Sequence, residues 1–185
     1  MEFVAVDFET ANQTRVSACA IGLVVMHKGT ILERAAYLIR PPELRFSRFN
    51  IAIHGIRAED VIDKPCFNEL WPELKGYFEG KTVIAHNAAF DLSVLRNTLD
   101  TYNIAYPDFN CLCTLSISRR IWPHWPTHRL DYVAGQLGIV FQHHNALEDA
   151  LAAAEIARKA CLAARAGSLK ELVSRLGITP RRLGP

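Results

Sequence analysis

Apolar residues in the first forty positions recur in the runs that are typical of β-strands. Residues 3–9 are mostly apolar without alternation, a pattern that favours a central strand covered on both faces. Two segments rich in Val and Ile follow, residues 17–27 and 31–39, with Gly29 between them to supply the positive φ of a hairpin turn. The pattern therefore predicts that the first three strands form an antiparallel meander.

A proline pair and then a helical pattern follow the meander. Pro41 and Pro42 end the third strand, and an irregular segment is expected from there to Gly55. Apolar residues at helical spacing next predict a helix that begins near Asn68, so that Pro72 falls in its first turn.

Short strands and helices alternate over the rest of the chain. Residues 82–85 predict a buried strand that leads directly into a helix, and residues 112–115 predict a fifth strand. A later helix ends at Gly138, and the longest helix follows Asn145 and runs to about residue 166. Strands followed by alternating helices and strands indicate a three-layer α/β sandwich with a mixed sheet.

The composition is that of one globular domain with a short appendage. Of the 185 residues, 50% are hydrophobic and 22% are charged, which excludes a disordered tail protein or a fibrous repeat. The net charge of +2 gives no global sign of a nucleic-acid partner, whose mark is a strong basic excess. We expect a domain over residues 1–166, then a short helix and tail over residues 167–185 in which residues 180–182 are disordered.

The five cysteines are interpreted as reduced thiols. Their number is odd and most of them lie in apolar runs, while Cys111 and Cys113 lack the spacing of a zinc knuckle. The sequence has no run of about 18 apolar residues, and its first residues lack the pattern of a signal peptide. We therefore expect a cytoplasmic protein that has no membrane partner.

Four acids and one histidine lie near the ends of predicted elements. Asp7 and Glu9 are two residues apart on the first strand, so both side chains project from one face near the carboxyl end of the sheet. These carboxylates repel each other, so a shared divalent metal is one hypothesis and a salt bridge at the strand end is the other. Asp91, His144 and Asp149 lie at helix starts, where acids beside a solvated histidine are common without any further role.

Taken together, these residues resemble one known family, the DEDDh-type 3′–5′ exonucleases, and are similar to the proofreading epsilon subunit of bacterial DNA polymerase III. The matching motifs are residues 6–10 (VDFET), 85–91 (AHNAAFD) and 144–149 (HNALED). The spacing selects His144 as the family histidine and leaves His143 out of register. Residues 51–56 (IAIHGI) resemble the family segment that contacts the terminal nucleotide. The resemblance implies an RNase H-like fold, with a five-stranded mixed sheet in the order 3-2-1-4-5 and strand 2 antiparallel.

The resemblance also implies a catalytic centre. In it, Asp7, Glu9, Asp91 and Asp149 hold two divalent cations, Mg²⁺ or Mn²⁺, which oxygen ligands favour over zinc. His144 is implied as the general base, a role that suits a side chain able to exchange protons near neutral pH. The implied reaction releases nucleoside 5′-monophosphates stepwise from the 3′ end of single-stranded DNA by a two-metal mechanism.

Four further residues are predicted to contact the substrate or to support its binding. The backbone N–H of Thr10, the imidazole of His54 and the ring of Phe90 are assigned to the terminal nucleotide, and Asn87 to the loop before the metal site. Phe90 is also explained as a core residue, and His54 as a loop residue that satisfies a turn. Cations mixed with aromatic rings, which suit a single strand, are Arg45, Arg48, Arg119, Arg120, His124, Trp125, His128 and Arg129.

The residues leave two other functions open. The first is a 3′–5′ exoribonuclease that acts on short or structured RNA ends, because the same fold and motifs serve both polymers. The second is a non-catalytic module that binds 3′ ends, against which stand the competent side chains at all five catalytic positions. The expected partners are single-stranded 3′ ends, with DNA favoured over RNA, and a polymerase or another repair protein.

Overall fold

A computed structural model describes residues 2–184, in which five strands form one mixed sheet. The strands are β1 (Glu2–Thr10), β2 (Ala18–His27), β3 (Thr30–Leu38), β4 (Thr82–Ala85) and β5 (Asn110–Cys113). Their order is β3-β2-β1-β4-β5, where β2 is antiparallel to both neighbours and the β1–β4 and β4–β5 pairs are parallel. The order and the antiparallel second strand that the resemblance implied are confirmed.

Helices connect the strands and cover the sheet. They are α1 (Arg48–His54), α2 (Ala58–Val61), α3 (Phe67–Leu74), α4 (Ala89–Thr101), α5 (Thr114–Ile121), α6 (Leu130–Gln136), α7 (Ala146–Ala163) and α8 (Leu169–Arg175). None of the helices within residues 2–184 combines the length and the apolar character needed to span a bilayer.

Side chains of β1 alternate between two cores, which makes the fold three-layered. Val4, Val6 and Phe8 belong to a core shared with α3 and α4. Phe3 and Ala5 belong to the opposite core, which contains the Ala-rich face of α7 together with α8. Because odd-numbered residues of β1 share one face, Asp7 and Glu9 project toward the side that α7 covers.

The region around α1 and α3 corrects two expectations. The segment before Gly55 is irregular only as far as Ser47, because Ser47 Oγ accepts the Asn50 N–H at 3.1 Å to start α1, and Gly55 ends this helix with a φ of 79°. Pro72 is the sixth residue of α3 and lies outside the first turn. The helix ends at Leu74, so the proline removes a single bond near its end.

The outer edge of the sheet differs from two further expectations, the bounds of the fifth strand and the disorder of the tail. The fifth strand covers Asn110–Cys113 rather than residues 112–115, and helix α5 begins directly after it. The tail is not disordered at Arg181, which exchanges two backbone hydrogen bonds of 2.7 and 2.8 Å with Cys111. Leu183 is buried nearby. The open edge of β5 offers unpaired backbone groups, and the tail satisfies them.

Candidate active site

Three carboxylates meet where β1 ends beneath the first turn of α7. One oxygen from each of Asp7, Glu9 and Asp149 lies within 4.8 Å of the others. Asp149 is held there because the side chain of Asn145 caps α7, accepting two backbone N–H groups at 3.1 and 3.2 Å. The structure therefore brings together acids that are about 140 residues apart in the sequence, as the motifs predicted.

Asp91 lies beside this cluster rather than within the same 4.8 Å group. It is 3% exposed, and its Oδ1 accepts the backbone N–H of Phe8, between Asp7 and Glu9, at 3.1 Å. Its Oδ2 is buried and finds no hydrogen-bond partner in the described part of the chain. A buried carboxylate oxygen without a partner is unfavourable, and a cation at this position would relieve that cost.

Burial raises the pKa of all four acids, and the charges of neighbouring acids add to the effect. Burial, reinforced by the other three charges, holds the pKa of Asp7 well above its usual range. Burial, followed by the charges of Asp149 and Asp91, raises the pKa of Glu9 to about 8. The pKa of Asp91 and that of Asp149 rise to about 7, chiefly through burial, while backbone hydrogen bonds act in the opposite direction. Within residues 2–184, no Lys or Arg forms an ion pair with any of these acids.

The donor atoms of this cluster fit a hard divalent cation. They are carboxylate oxygens from β1 and α7, with Asp91 of α4 beside them, they are buried or half-buried, and no described Lys or Arg forms an ion pair with them. Mg²⁺ and Mn²⁺ prefer oxygen ligands, whereas zinc sites normally contain sulfur or nitrogen. The arrangement would keep its carboxylates ionised near neutral pH only with such cations in place.

Two histidines lie beside Asp149, although sequence reasoning selected one. The backbone N–H of His144 donates to both oxygens of Asp149 at 3.2 Å. His143 Nε2 lies 3.9 Å from Asp149 Oδ2, and the two imidazole rings stack with centroids 3.9 Å apart. Consecutive side chains of an extended segment point in opposite directions, but His144 has a φ of 66°, and this left-handed conformation removes the alternation. Burial, followed by the charge of His144, lowers the pKa of His143.

The imidazole of His54 binds the end of β1. Its Nδ1 accepts the backbone N–H of Ile56 at 3.0 Å, so Nε2 carries the proton and donates to the carbonyl of Thr10 at 3.1 Å. Asn50 Nδ2 donates to the same carbonyl at 2.8 Å. Burial lowers the pKa of His54, in keeping with a neutral ring. Both ring nitrogens bind within the protein, as expected of a residue that satisfies a turn.

Phe90 and Asn87 shape the start of α4. The Phe90 ring packs partly against the core, and the Arg15 guanidinium lies 4.5 Å from its centroid. The ring therefore has a cation over one face. Asn87 has a φ of 66°, and its carbonyl accepts the Phe90 N–H at 2.9 Å, so it turns the chain from β4 into the helix that carries Asp91.

Gly22 is a positioning residue that sequence reasoning missed. It pairs with Asp7 across β1 and β2. A Cβ atom at this position would lie 2.1 Å from the Ala146 carbonyl oxygen and 2.4 Å from the Leu147 nitrogen. The missing side chain lets the first turn of α7 pack on the sheet and sets Asp149 beside Asp7. The available signal was a glycine inside an apolar strand, which often marks a close backbone approach.

His86 was also missed by sequence reasoning. It ties the tryptophan-containing loop of residues 122–129 to the end of β4. Its Nε2 donates to the His128 carbonyl at 2.9 Å, and its Nδ1 lies 2.9 Å from Thr114 Oγ1. Burial lowers the pKa of His86 to about 4, so the ring is neutral. Within the loop, the rings of Trp122 and Trp125 stack with centroids 4.7 Å apart. His86 thus ties this loop, which carries part of the predicted mixture of cations and aromatic rings, to the carboxyl end of β4.

Comparison with known sequences agrees with these motifs. A family model described as Exonuclease (RNase_T) matches residues 4–157. The PolC-type DNA polymerase III of Thermotoga petrophila is 30% identical over 180 residues, covering 96% of this chain and 12% of that protein. The PolC-type DNA polymerase III of Caldanaerobacter subterraneus subsp. tengcongensis is 29% identical over 158 residues, covering 84% and 11% respectively. The chain therefore spans only 11–12% of the length of these curated relatives.

Solved structures share the fold at low sequence identity. Exonuclease X in complex with 5′ overhanging duplex DNA matches with a TM-score of 0.77 and 23% identity, covering 95% of this chain and 99% of that one. The nuclease domain of 3′hExo, a DEDDh family member, bound to rAMP, matches with a TM-score of 0.73 and 17% identity, covering 98% and 95%. These similarities confirm the predicted RNase H-like fold.

Proposed function

Because the chain belongs to the exonuclease family, we propose that it is a metal-dependent 3′–5′ exonuclease that releases nucleoside 5′-monophosphates from single-stranded DNA. The observation that carries this proposal is the group of four acids at the end of β1, where burial raises every pKa and no described Lys or Arg forms an ion pair with them. Such a cluster is costly for stability alone and is useful for binding cations.

Asp7, Glu9, Asp91 and Asp149 are the residues that would hold two divalent cations, Mg²⁺ or Mn²⁺. When bound, the cations supply Lewis-acid stabilisation of the charge that develops on the scissile phosphate and on the leaving oxygen. Asp7 projects from the central strand, and the charges of all three other acids act on it, so it would be a ligand in this group. Asp7 and Glu9 are only half-buried, so the end of a nucleic-acid strand can reach their side chains.

His144 is the proposed general base. It takes a proton from the attacking water as the new O–P bond forms and the bond between phosphorus and the 3′ oxygen breaks. The terminal nucleotide leaves with a 5′-phosphate, and the shortened strand keeps a 3′-hydroxyl. The hydrogen bonds from the His144 N–H to Asp149 hold the imidazole beside the acids, and the stacked ring of His143 restricts its rotation.

Substrate contacts are proposed at the rim of the cluster. The backbone N–H of Thr10 is assigned to the terminal nucleotide. His54 and Asn50 hold the end of β1 in place through hydrogen bonds to the Thr10 carbonyl. Phe90 offers an aromatic ring to a base, and Asn87 holds the loop before Asp91. The PolC-type DNA polymerases among the relatives favour DNA as substrate and make a polymerase the candidate partner.

An exoribonuclease is the second candidate function. The observation in its favour is that the 3′hExo nuclease domain, which covers nearly the whole chain, is bound to rAMP. Matched DNA and RNA substrates separate the two candidates, since the fold serves both.

The test uses single-stranded DNA labelled at either end and RNA of the same sequence, with Mg²⁺, Mn²⁺ or EDTA. We expect mononucleotides to appear first from the 3′ label, DNA to be cleaved faster than RNA, and EDTA to abolish the reaction. Asp7→Asn should lower the rate by about 10³-fold or more, because a catalytic metal contributes several kcal/mol. Glu33→Gln changes an exposed acid on β3 and serves as the matched control with an unchanged rate.

Each alternative outcome has a defined meaning. Release first from the 5′ label would contradict the polarity, and undiminished release in EDTA would contradict the metal requirement. Faster cleavage of RNA would favour the exoribonuclease. Binding of 3′ ends without any cleavage in either metal would favour the non-catalytic module.

A further inference from the structure

A cavity lies at the outer edge of the sheet, between β5, α5 and the segment after α8. It measures about 360 Å³ and is lined by three arginines, Arg119, Arg120 and Arg181. Ser116 and Thr179 add hydroxyl groups, and none of the described residues in the lining carries a carboxylate. The cavity therefore differs in charge from the acid cluster, where carboxylates predominate.

The guanidinium groups of Arg119 and Arg181 form no ion pair with an acid of the described chain. Arg120 is anchored by donating from Nη1 to the carbonyl of Leu176. The charges of Arg119 and Arg181 act on neighbouring groups. Burial and the Arg119 charge both lower the pKa of His128. Burial raises the pKa of the Cys111 thiol, and the Arg181 charge opposes that increase. Three like charges around one cavity repel each other, and an anion between them would relieve that repulsion.

The tail presents Arg181 from an ordered backbone. Its backbone N–H and C=O both pair with Cys111 on β5, at 2.8 and 2.7 Å. Leu183, two residues on, is 9% exposed and belongs to the core of the domain. Folding therefore meets the conformational cost of placing the Arg181 backbone, which favours binding at this position.

Two lining residues connect the cavity to the acid cluster. Ala88 directly precedes α4, and Asp91 follows it by three residues, which is less than one helical turn. Cys113 ends β5 at the carboxyl edge that β5 shares with the parallel strands β4 and β1. A strand whose 3′ end enters the acid cluster can therefore continue along this edge toward the arginines.

We propose that this arginine-lined cavity binds a backbone phosphate of the nucleic-acid strand, on the 5′ side of the nucleotide that is removed. The inference rests on the proposed function, which sets the 3′ end of that strand in the acid cluster. Guanidinium groups donate paired N–H groups to phosphate oxygens, and the hydroxyls of Ser116 and Thr179 add single donors. A free phosphate or mononucleotide has the same chemistry, so the experiment includes both sources.

The first arm measures strand binding without hydrolysis. Fluorescent single-stranded DNA of about 12 nucleotides, within the usual site size of single-strand binders, is titrated with the full chain in EDTA at several salt concentrations. We expect Arg119→Gln combined with Arg181→Gln to weaken binding by about 10-fold and to reduce the salt slope by about 0.7 for each phosphate that the variant no longer binds. Arg34→Gln is the matched control, since Arg34 is an exposed arginine on β3 at the opposite edge of the sheet.

The second arm measures hydrolysis with metal present. The double variant should lower kcat/KM for the long strand by a similar factor and leave a dinucleotide without a 5′-phosphate unaffected, because the only phosphate of that substrate is the scissile one. The binding arm needs no catalysis, so a protein that binds through the cavity but hydrolyses nothing would contradict the proposed function and support this inference. If the Arg181 variant does not fold, Arg119→Gln alone is expected to weaken binding about 3-fold.

Three outcomes would overturn the inference. Wild-type affinity and salt slope in the folded double variant would show that no strand phosphate binds there. An equal decrease in affinity in Arg34→Gln would show that the weaker binding of the double variant comes from its lower net charge and not from the cavity. Binding of inorganic phosphate or a mononucleotide that disappears in the double variant while strand binding is retained would assign the cavity to a free ligand.

Discussion

Carboxylates at the two ends of the sheet have opposite environments. At the amino end of β1, Glu2 pairs with His27 at 2.7 Å, and Glu33 accepts a hydrogen bond from the Tyr77 hydroxyl. Both of these acids are exposed. At the carboxyl end, four acids crowd together, and one oxygen of Asp91 is buried with no partner in the described chain.

This difference supports the proposal that the acids at the carboxyl end form the metal site. An exposed acid with a hydroxyl or histidine partner has little effect on stability, whereas a buried acid without one is strongly unfavourable. Gly22 and the cap at Asn145 nevertheless position α7 so that Asp149 joins the unfavourable group. The net charge of +2 conceals this contrast, because it includes four acids that bound cations would neutralise.

Replacing each of the two histidines tests the proposed proton-transfer group at the carboxyl end. We expect His144→Ala to lower kcat by about 10²–10⁴-fold, the usual contribution of a general base. His143→Ala should lower it by about 10-fold, because His143 acts by stacking on His144 and by its position near Asp149. Steady-state hydrolysis of single-stranded DNA at saturating Mg²⁺ measures both effects. A larger decrease in His143→Ala would exchange the two roles.

Adding one methyl group at Gly22 tests how the carboxyl end is assembled. We expect Gly22→Ala to lower kcat by about 100-fold, since the Cβ collides with the backbone of α7 and displaces Asp149 and His144 from Asp7. KM for the strand should change less, because the proposed strand contacts lie on other elements. The unfolding free energy should fall by about 1–3 kcal/mol through overpacking.

Gly135→Ala provides the matched control for that prediction. Gly135 lies in α6, where an added Cβ meets no described atom within 4 Å, so activity should be unchanged. Wild-type kcat in a folded Gly22→Ala protein would show that the close approach of α7 is unimportant for catalysis.

Local patterns explain why most of the fold was predictable. The apolar run of β1, the hairpin at Gly29 and the cap at Asn145 are encoded within a few neighbouring residues, and all three appear where expected. The three acidic motifs were recognised for the same reason. The structure does bring Asp7, Glu9 and Asp149 together, although it sets Asp91 slightly apart.

Features that depend on distant contacts were not predictable. The role of Gly22 requires knowing that α7 crosses β2, and that of His143 requires the left-handed backbone at His144. The order of the tail at Arg181 requires the open edge of β5, about 70 residues earlier in the chain. In each case the role of a residue depends on a contact between two segments that only folding brings together.

The contrast between the two ends also predicts how stability without metal depends on pH. In the folded chain, the pKa of Glu9 is about 8 and those of Asp91 and Asp149 are about 7, against ordinary values of 3.8 to 4.5. The folded state therefore binds protons more tightly than the unfolded state, so these acids lower the stability as the pH rises from about 4 to about 8. In EDTA, Tm should be lower at pH 8 than at pH 5.5.

Asp91→Asn should sharpen that contrast by stabilising the metal-free protein at pH 8. The amide oxygen keeps the bond from the Phe8 N–H, and the NH₂ group replaces the oxygen that has no described partner and can donate to the nearby acids. We expect a gain of about 1–2 kcal/mol, or about 2–8 °C in Tm, with a shallower dependence on pH. Glu33→Gln, at the other end, should change the unfolding free energy by about 0.5 kcal/mol or less and leave the pH dependence unchanged.

Adding Mn²⁺ at pH 8 completes this last test. A cation that binds only the folded state raises Tm, so the wild-type protein should gain stability on addition of metal, and Asp91→Asn should gain less because it lacks one ligand. The order of the two proteins in Tm is then expected to reverse between EDTA and saturating Mn²⁺. If Asp91→Asn melts below the wild-type protein in EDTA at pH 8, the buried carboxylate is stabilised by groups within the protein and the contrast between the two ends of the sheet is wrong.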